Sequence, residues 1–231
     1  MDVISDVLRV IRLSGVVVFH TELTAPWGLS VPPASGLGAL LQLETRRLIP
    51  FHAVAAGSCI SRLDGIERLA EGDVVMYPHG DAHVLASDET IAPTPVGGLL
   101  PPLSPEQLAV VRHGGGGSMT RLVCGFVHCD EGVFNPLAAG LPKVLCGRST
   151  GRRPNPLHGL LQLALSEAAA PRPGTTTLLT RLTELMFVEV LRTFMESLPA
   201  EPTGTTPSGA KPSGAKPSGA KPSGAKPSGA K

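Results

Sequence analysis

Residues 72 to 83 read GDVVMYPHGDAH, and the arrangement of the whole chain can be worked out from them. Gly72-Asp73 is a turn signal, and Val74 to Tyr77 is a short β-prone run. Pro78 lacks an amide hydrogen and stops the ladder there. Gly80 tolerates backbone angles that a side chain forbids, so Pro78 to Asp81 turns tightly and returns the chain as a second strand over Ala82 to Ala86. His83 then stands at the start of the returning strand, on the same face as Leu85. The simpler alternative is a β-turn carrying a surface histidine.

Outward from this hairpin the pattern stays β-rich. Val16 to Phe19 is a buried-strand candidate, followed by the only tryptophan, Trp27. Phe51 to Ala56 and Cys59 to Leu63 are strands, and Asp64-Gly65 is a hairpin signal. Leu122 to His128 is a further strand. Residues 88 to 118 are rich in Pro and Gly, with four glycines at 114 to 117, and predict a long mobile flap. Seven or more short strands in sequence predict an all-β barrel or sandwich. Before them, Val3, Val7, Val10 and Ile11 recur at helical spacing and predict an amphipathic helix over residues 2 to 13.

The last third of the folded part is helical. Leu157, Leu160, Leu161, Ala164, Leu165 and Ala168 share one face, and Pro171-Arg172-Pro173-Gly174 ends that helix. Thr175 or Thr176 can cap a second helix, antiparallel to the first. Its apolar face is wide, and Leu179, Leu182, Met186, Val190, Leu191 and Phe194 are expected to form a dimer interface. The alternative is that this face covers an open end of the barrel.

Composition separates a body from a tail. From Pro207 the chain is five copies of PSGAK, which offer no large apolar group to offset the entropy of ordering, so residues 199 to 231 are expected to be disordered. The chain has 20 Lys plus Arg against 19 Asp plus Glu; the PSGAK repeats hold five lysines and no acid, so the body is net acidic and offers no phosphate-binding surface. No basic start followed by an apolar run marks a signal peptide, and no uncharged apolar stretch reaches the roughly 18 residues of a membrane span. Cys59, Cys124, Cys129 and Cys146 lack paired CxxC spacing, as expected of a reduced, cytoplasmic protein. No GxSxG, P-loop or dinucleotide fingerprint appears.

The spacing of Gly72, Pro78, Gly80 and His83 resembles the second motif of the cupin family, small double-sheet β-barrels. Taken in order, MDVISDVLRVIRLSGVVVF, PFHAVAAGSCISRLDG, GDVVMYPHGDAHVL, LVCGFV, LPKVL and LTELMFVEVLR resemble the N-terminal cupin-type domain of AraC-family transcription regulators over residues 1 to 198. The resemblance implies a cupin-like jelly-roll barrel with its N-terminal helix over residues 1 to 150 and a dimerising helical hairpin over 151 to 198. It also implies a small-molecule effector held in the barrel. In that family a second domain of two helix-turn-helix units binds DNA. Near Pro199, where it should begin, this sequence enters the PSGAK region. The expectation is an effector-sensing homodimer that is not an enzyme, does not bind DNA directly by itself and does not associate with membranes.

The candidate site follows from strand parity. His52 shares a face with Val54 and Ala56, while Cys124 shares one with Phe126 and His128. The ligand-binding set is therefore His52, Val54, His83, Leu85, Cys124 and Phe126. Metal-dependent cupins resemble one another in using two histidines and a glutamate from the first motif with the histidine of the second. Here the first-motif positions fall among Glu44, Thr45, Arg46, Arg47 and Pro50, without HxH, and two arginines repel a cation. No catalytic metal and no cofactor are expected. The competing readings are a zinc site on His52, His83 and Cys124, or a redox-sensing Cys124 whose thiol a neighbouring histidine acidifies. His20, His79, His113 and His158 have no partner pattern, and Arg148, Arg152 and Arg153 read as a solvated linker.

Overall fold

The computed structural model describes residues 13–40, 47–100, 109–129, 138–149 and 156–198. The expected helix at 2 to 13 and the PSGAK tail lie outside the described residues, apart from Leu13, which is in a strand.

In chain order the elements are β1 (Leu13–Thr24), β2 (Gly28–Val31), α1 (Ala34–Leu40), β3 (Arg47–Ala56), β4 (Ser58–Arg62), β5 (Ile66–Ala70), β6 (Val74–Met76), β7 (His83–Ala86), β8 (Thr94–Pro95), β9 (Ala109–Gly114), β10 (Met119–Cys129), β11 (Leu145–Gly147), α2 (Pro156–Ala169) and α3 (Thr175–Ser197). A six-stranded sheet runs β11-β6-β3-β10-β1-β9, and a five-stranded sheet runs β5-β4-β7-β2-β8. They are the two walls of a double-sheet barrel, followed in the chain by helices.

The quoted stretch feeds both walls. Val74–Met76 pairs with β3 in the first sheet, and His83–Ala86 pairs with β2 and β4 in the second. Between them the chain turns at Gly80, whose φ of +70° and the 2.6 Å separation of an added Cβ from the Ala34 side chain admit glycine alone. The turn is tied down by Gly80 N–H donating to Tyr77 O at 2.9 Å and by Ala34 N–H donating to Gly80 O at 2.8 Å.

Strand alternation divides the apolar residues into two cores. Val54, Leu122, Cys124 and Phe126 fill the barrel interior with Trp27, Tyr77 and Leu85. Phe51, Ala53, Val123, Val127 and Cys129 look the other way, toward Leu157, Leu161, Met186, Phe187 and Val190 of α2 and α3. β10 pairs antiparallel with both β1 and β3, so it is central to the sheet that separates the cores.

Four expectations change. The segment 88 to 118, read as a flap, carries β8 and β9, and both pair in parallel, with β2 and β1. Thr175 does not cap α3, because the cap position is Gly174 with no side-chain bond. Its hydroxyl instead donates to the buried Glu167 at 2.6 Å and accepts from Arg172 N–H at 2.7 Å, tying together the turn between the helices. Leu179, Leu182, Met186, Val190 and Leu191 are buried within the single chain, so they are turned toward its own barrel and α2 instead of toward a second copy. Phe194 is half-buried against the same core. Arg148 is no solvated linker either: it is paired with Glu67 and with the buried Asp73, 3.3 Å away, and holds the end of β11 to the β5–β6 turn.

Candidate functional site

β3 places His52, and β10 places Cys124, side by side on the inner face of the first sheet, as Cα partners in the ladder. β7 places His83 on the opposite wall. All three side chains are buried, and they make a continuous string: His52 Nδ1 lies 2.9 Å from Cys124 Sγ, His52 Nε2 lies 2.8 Å from His83 Nε2, and His83 Nδ1 lies 2.9 Å from Asp81 O.

The direction of every proton in this string follows from its last member. A carbonyl oxygen only accepts, so His83 carries its hydrogen on Nδ1 and, when neutral, accepts at Nε2. His52 must then donate from Nε2 and accept at Nδ1, which leaves the Cys124 thiol as the donor to His52. Every group is satisfied without a charge. Electrostatics agree: burial holds His52 well below the usual histidine range, with the neighbouring His83 adding to the effect. Burial pushes His83 down to about 4, partly offset by its bond to the Asp81 carbonyl. It drives the Cys124 thiol up, away from thiolate.

A second polar pair crosses the same space. Tyr77 follows β6 of the first sheet, Ser61 belongs to β4 of the second, and their hydroxyls are 2.7 Å apart. The Tyr77 ring stacks on His83 with centroids 3.5 Å apart and planes at 13°. Sequence reasoning missed both residues. The one available signal was that the chain's only tyrosine stands inside the quoted stretch, directly before Pro78.

His52 and Cys124 of the string border a small apolar cavity. His52, Leu85, Cys124 and Phe126 line it with Phe19 and Leu29, while His83 and Val54 are buried beside it and do not line it. Its volume is about 20 Å³, room for about one water.

The donors do not fit a zinc ion. His52 presents one ring nitrogen to Cys124 and the other to His83, so no single ion meets all three. Two nitrogens on a tetrahedral zinc stand about 3.3 Å apart, whereas these two are 2.8 Å apart. Among the described residues no group of three or more His, Cys, Asp or Glu side chains is arranged to hold a metal. The redox reading also loses its premise, because His52 accepts from a neutral thiol where an acidified one needs an imidazolium.

The cupin family model Cupin_6 matches residues 2–196. No curated protein matches. Among solved structures, apo ToxT K231A from Vibrio cholerae strain SCE256 aligns at a TM-score of 0.34 and 9% identity, over 80% of this chain and 56% of that one. The family match spans most of the chain, which belongs to the cupin family as an AraC-type cupin domain.

Proposed function

We propose that this chain is a ligand-sensing regulatory domain whose resting state is the closed barrel, without catalytic activity of its own. The observation that carries the reading is the neutral string from Cys124 through His52 to His83, which joins the two sheets across an otherwise apolar interior. Small-molecule sites have volumes of about 300 to 1,000 Å³, far above the 20 Å³ between the walls here. An effector therefore enters by parting the sheets, and it must replace the His52–His83 bond with donors and acceptors of its own. An unreplaced bond leaves a buried imidazole nitrogen bare, at a cost of about 1–3 kcal/mol.

The route outward is short. Met76, next to Tyr77, pairs with Leu145 of β11, and Gly147 at the end of β11 lies against Val190 of α3. Movement of Tyr77 and His83 thus reaches α3 through one strand. Homodimerisation uses the outward side of the helices, where Leu163, Leu185 and Met195 are exposed, and not the inward residues first expected. Sequence-specific binding of duplex DNA by residues 1–231 alone is not expected, because the apolar faces of α2 and α3 are committed to the barrel.

A thermal-shift screen of small polar metabolites tests the reading. A true effector raises the melting temperature of the wild type and loses that effect in His83→Ala and in Tyr77→Phe. Hits that stabilise wild type and both variants equally, or no hit at all, count against the barrel as the sensing site.

A further inference from the structure

A second space lies outside the barrel. A groove of about 540 Å³ runs between the outer face of the first sheet and α2. Its apolar surface comes from Ala56 and Val123 on the sheet and from Leu165 and Ala168 on α2. Its charged and titratable groups, His20, Glu22 and Arg121, are on the β1–β10 side, and Gln162 of α2 adds one neutral polar group across from them. The sheet register explains the gathering: His20 is the partner of Val123, and Glu22 is the partner of Arg121.

The charges are not balanced. Glu22 is taken by Arg112 of β9, at 2.8 Å. Arg121 has no ion-pair partner within 4 Å among the described residues, and the Nε2 of His20 is buried without a hydrogen-bond partner. The exposed Arg121, the half-buried His20 and a small-residue apolar trough border the same volume. Burial, which outweighs the nearby charge of Glu22, keeps His20 toward its neutral form, in which it can give an N–H without adding a second positive charge.

We propose that this groove is a second binding site, for a small amphipathic monocarboxylate whose carboxylate meets Arg121 and His20 and whose apolar part lies along Ala56, Val123, Leu165 and Ala168. A monoanion matches the single free guanidinium. A dianion such as phosphate is disfavoured by Glu22 on the neighbouring strand. The site is independent of the barrel interior, because its residues are on the opposite face of β1, β3 and β10.

Hexanoate titrated into the full chain, followed by nitrogen-15 NMR, is the test, with hexan-1-ol as the neutral probe. Saturable shifts are expected at His20, Arg121 and Ala168. Hexan-1-ol should bind at least about tenfold more weakly, and Arg121→Gln should cost hexanoate about tenfold or more, the worth of one charge-assisted hydrogen bond. Ala168→Phe, which fills the trough, should abolish binding. The proposal fails if hexanoate does not saturate, if hexan-1-ol binds equally well, if Arg121→Gln and Ala168→Phe keep wild-type affinity, or if the shifts fall at Leu85 and Cys124 instead.

Discussion

The two faces of β10 look onto opposite kinds of space. On the inner face, Leu122, Cys124 and Phe126 border a narrow cavity of about 20 Å³. On the outer face, Arg121 and Val123 border an open groove of about 540 Å³. The inner face has a string of polar groups whose hydrogen bonds are made, and almost no room. The outer face has room, and polar groups whose bonds are not all made. A change inside therefore registers as stability, because something satisfied must be broken. A change outside registers as binding, because little is there to lose.

The largest effect is expected inside. His52→Ala removes the acceptor of the Cys124 thiol and the donor to His83 and opens a cavity between the sheets, so it should destabilise by about 3 to 5 kcal/mol in chemical denaturation. A loss below about 1 kcal/mol would mean that the string does not join the walls.

Acid should act in the same place. Below the ordinary histidine value of 6.5 the unfolded chain takes up protons that folded His83, with its value near 4, refuses. The stability contributed by the neutral imidazole is complete above pH 6.5 and is lost as pH falls toward 4, by about 1.4 kcal/mol per pH unit. His52, also lowered, adds to the slope in the same direction. His83→Gln should flatten the profile, and a wild-type profile already flat over that range would contradict the assignment.

Gly147→Ala sits between the regions. The new Cβ would stand 2.5 Å from Leu157 Cδ1 and 2.8 Å from Val190 Cγ2, which forces the helices off β11. A cost of about 1–3 kcal/mol is expected, with altered packing at α3 visible in the methyl spectrum of Val190. The smallest effect belongs to the outer face, where Arg121→Gln should change stability by no more than about 0.5 kcal/mol.

Much of the inner face was legible from residue order. Alternation with period two put His52 with Val54 and Cys124 with Phe126, and Cys129 opposite Cys124, and the described strands keep that parity. But Ala56, expected beside His52, borders the outer groove because the β3–β10 register shifts between Arg121 and Leu122. The turn through Gly80 was legible because Pro and Gly each restrict the backbone in a known way. Other features depend on which distant strands become neighbours. The Ser61–Tyr77 bond and the direct His52–His83 contact join residues on different sheets, and no local pattern announces such a pairing. β8 and β9 were hidden inside a Pro- and Gly-rich segment because both join by parallel pairing, which leaves no hairpin signature. The wide face of α3 was visible as a face, but periodicity says nothing about what covers it, and here the barrel does.

The central claim, a neutral string fastening one sheet to the other, is tested most directly by nitrogen-15 NMR of the histidine rings at about pH 6, below the ordinary histidine value. Both imidazoles should be neutral, with the hydrogen on Nδ1 of His83 and on Nε2 of His52, and a through-bond coupling should connect the two Nε2 atoms. Either ring found cationic at that pH, or the absence of the coupling, would contradict the account.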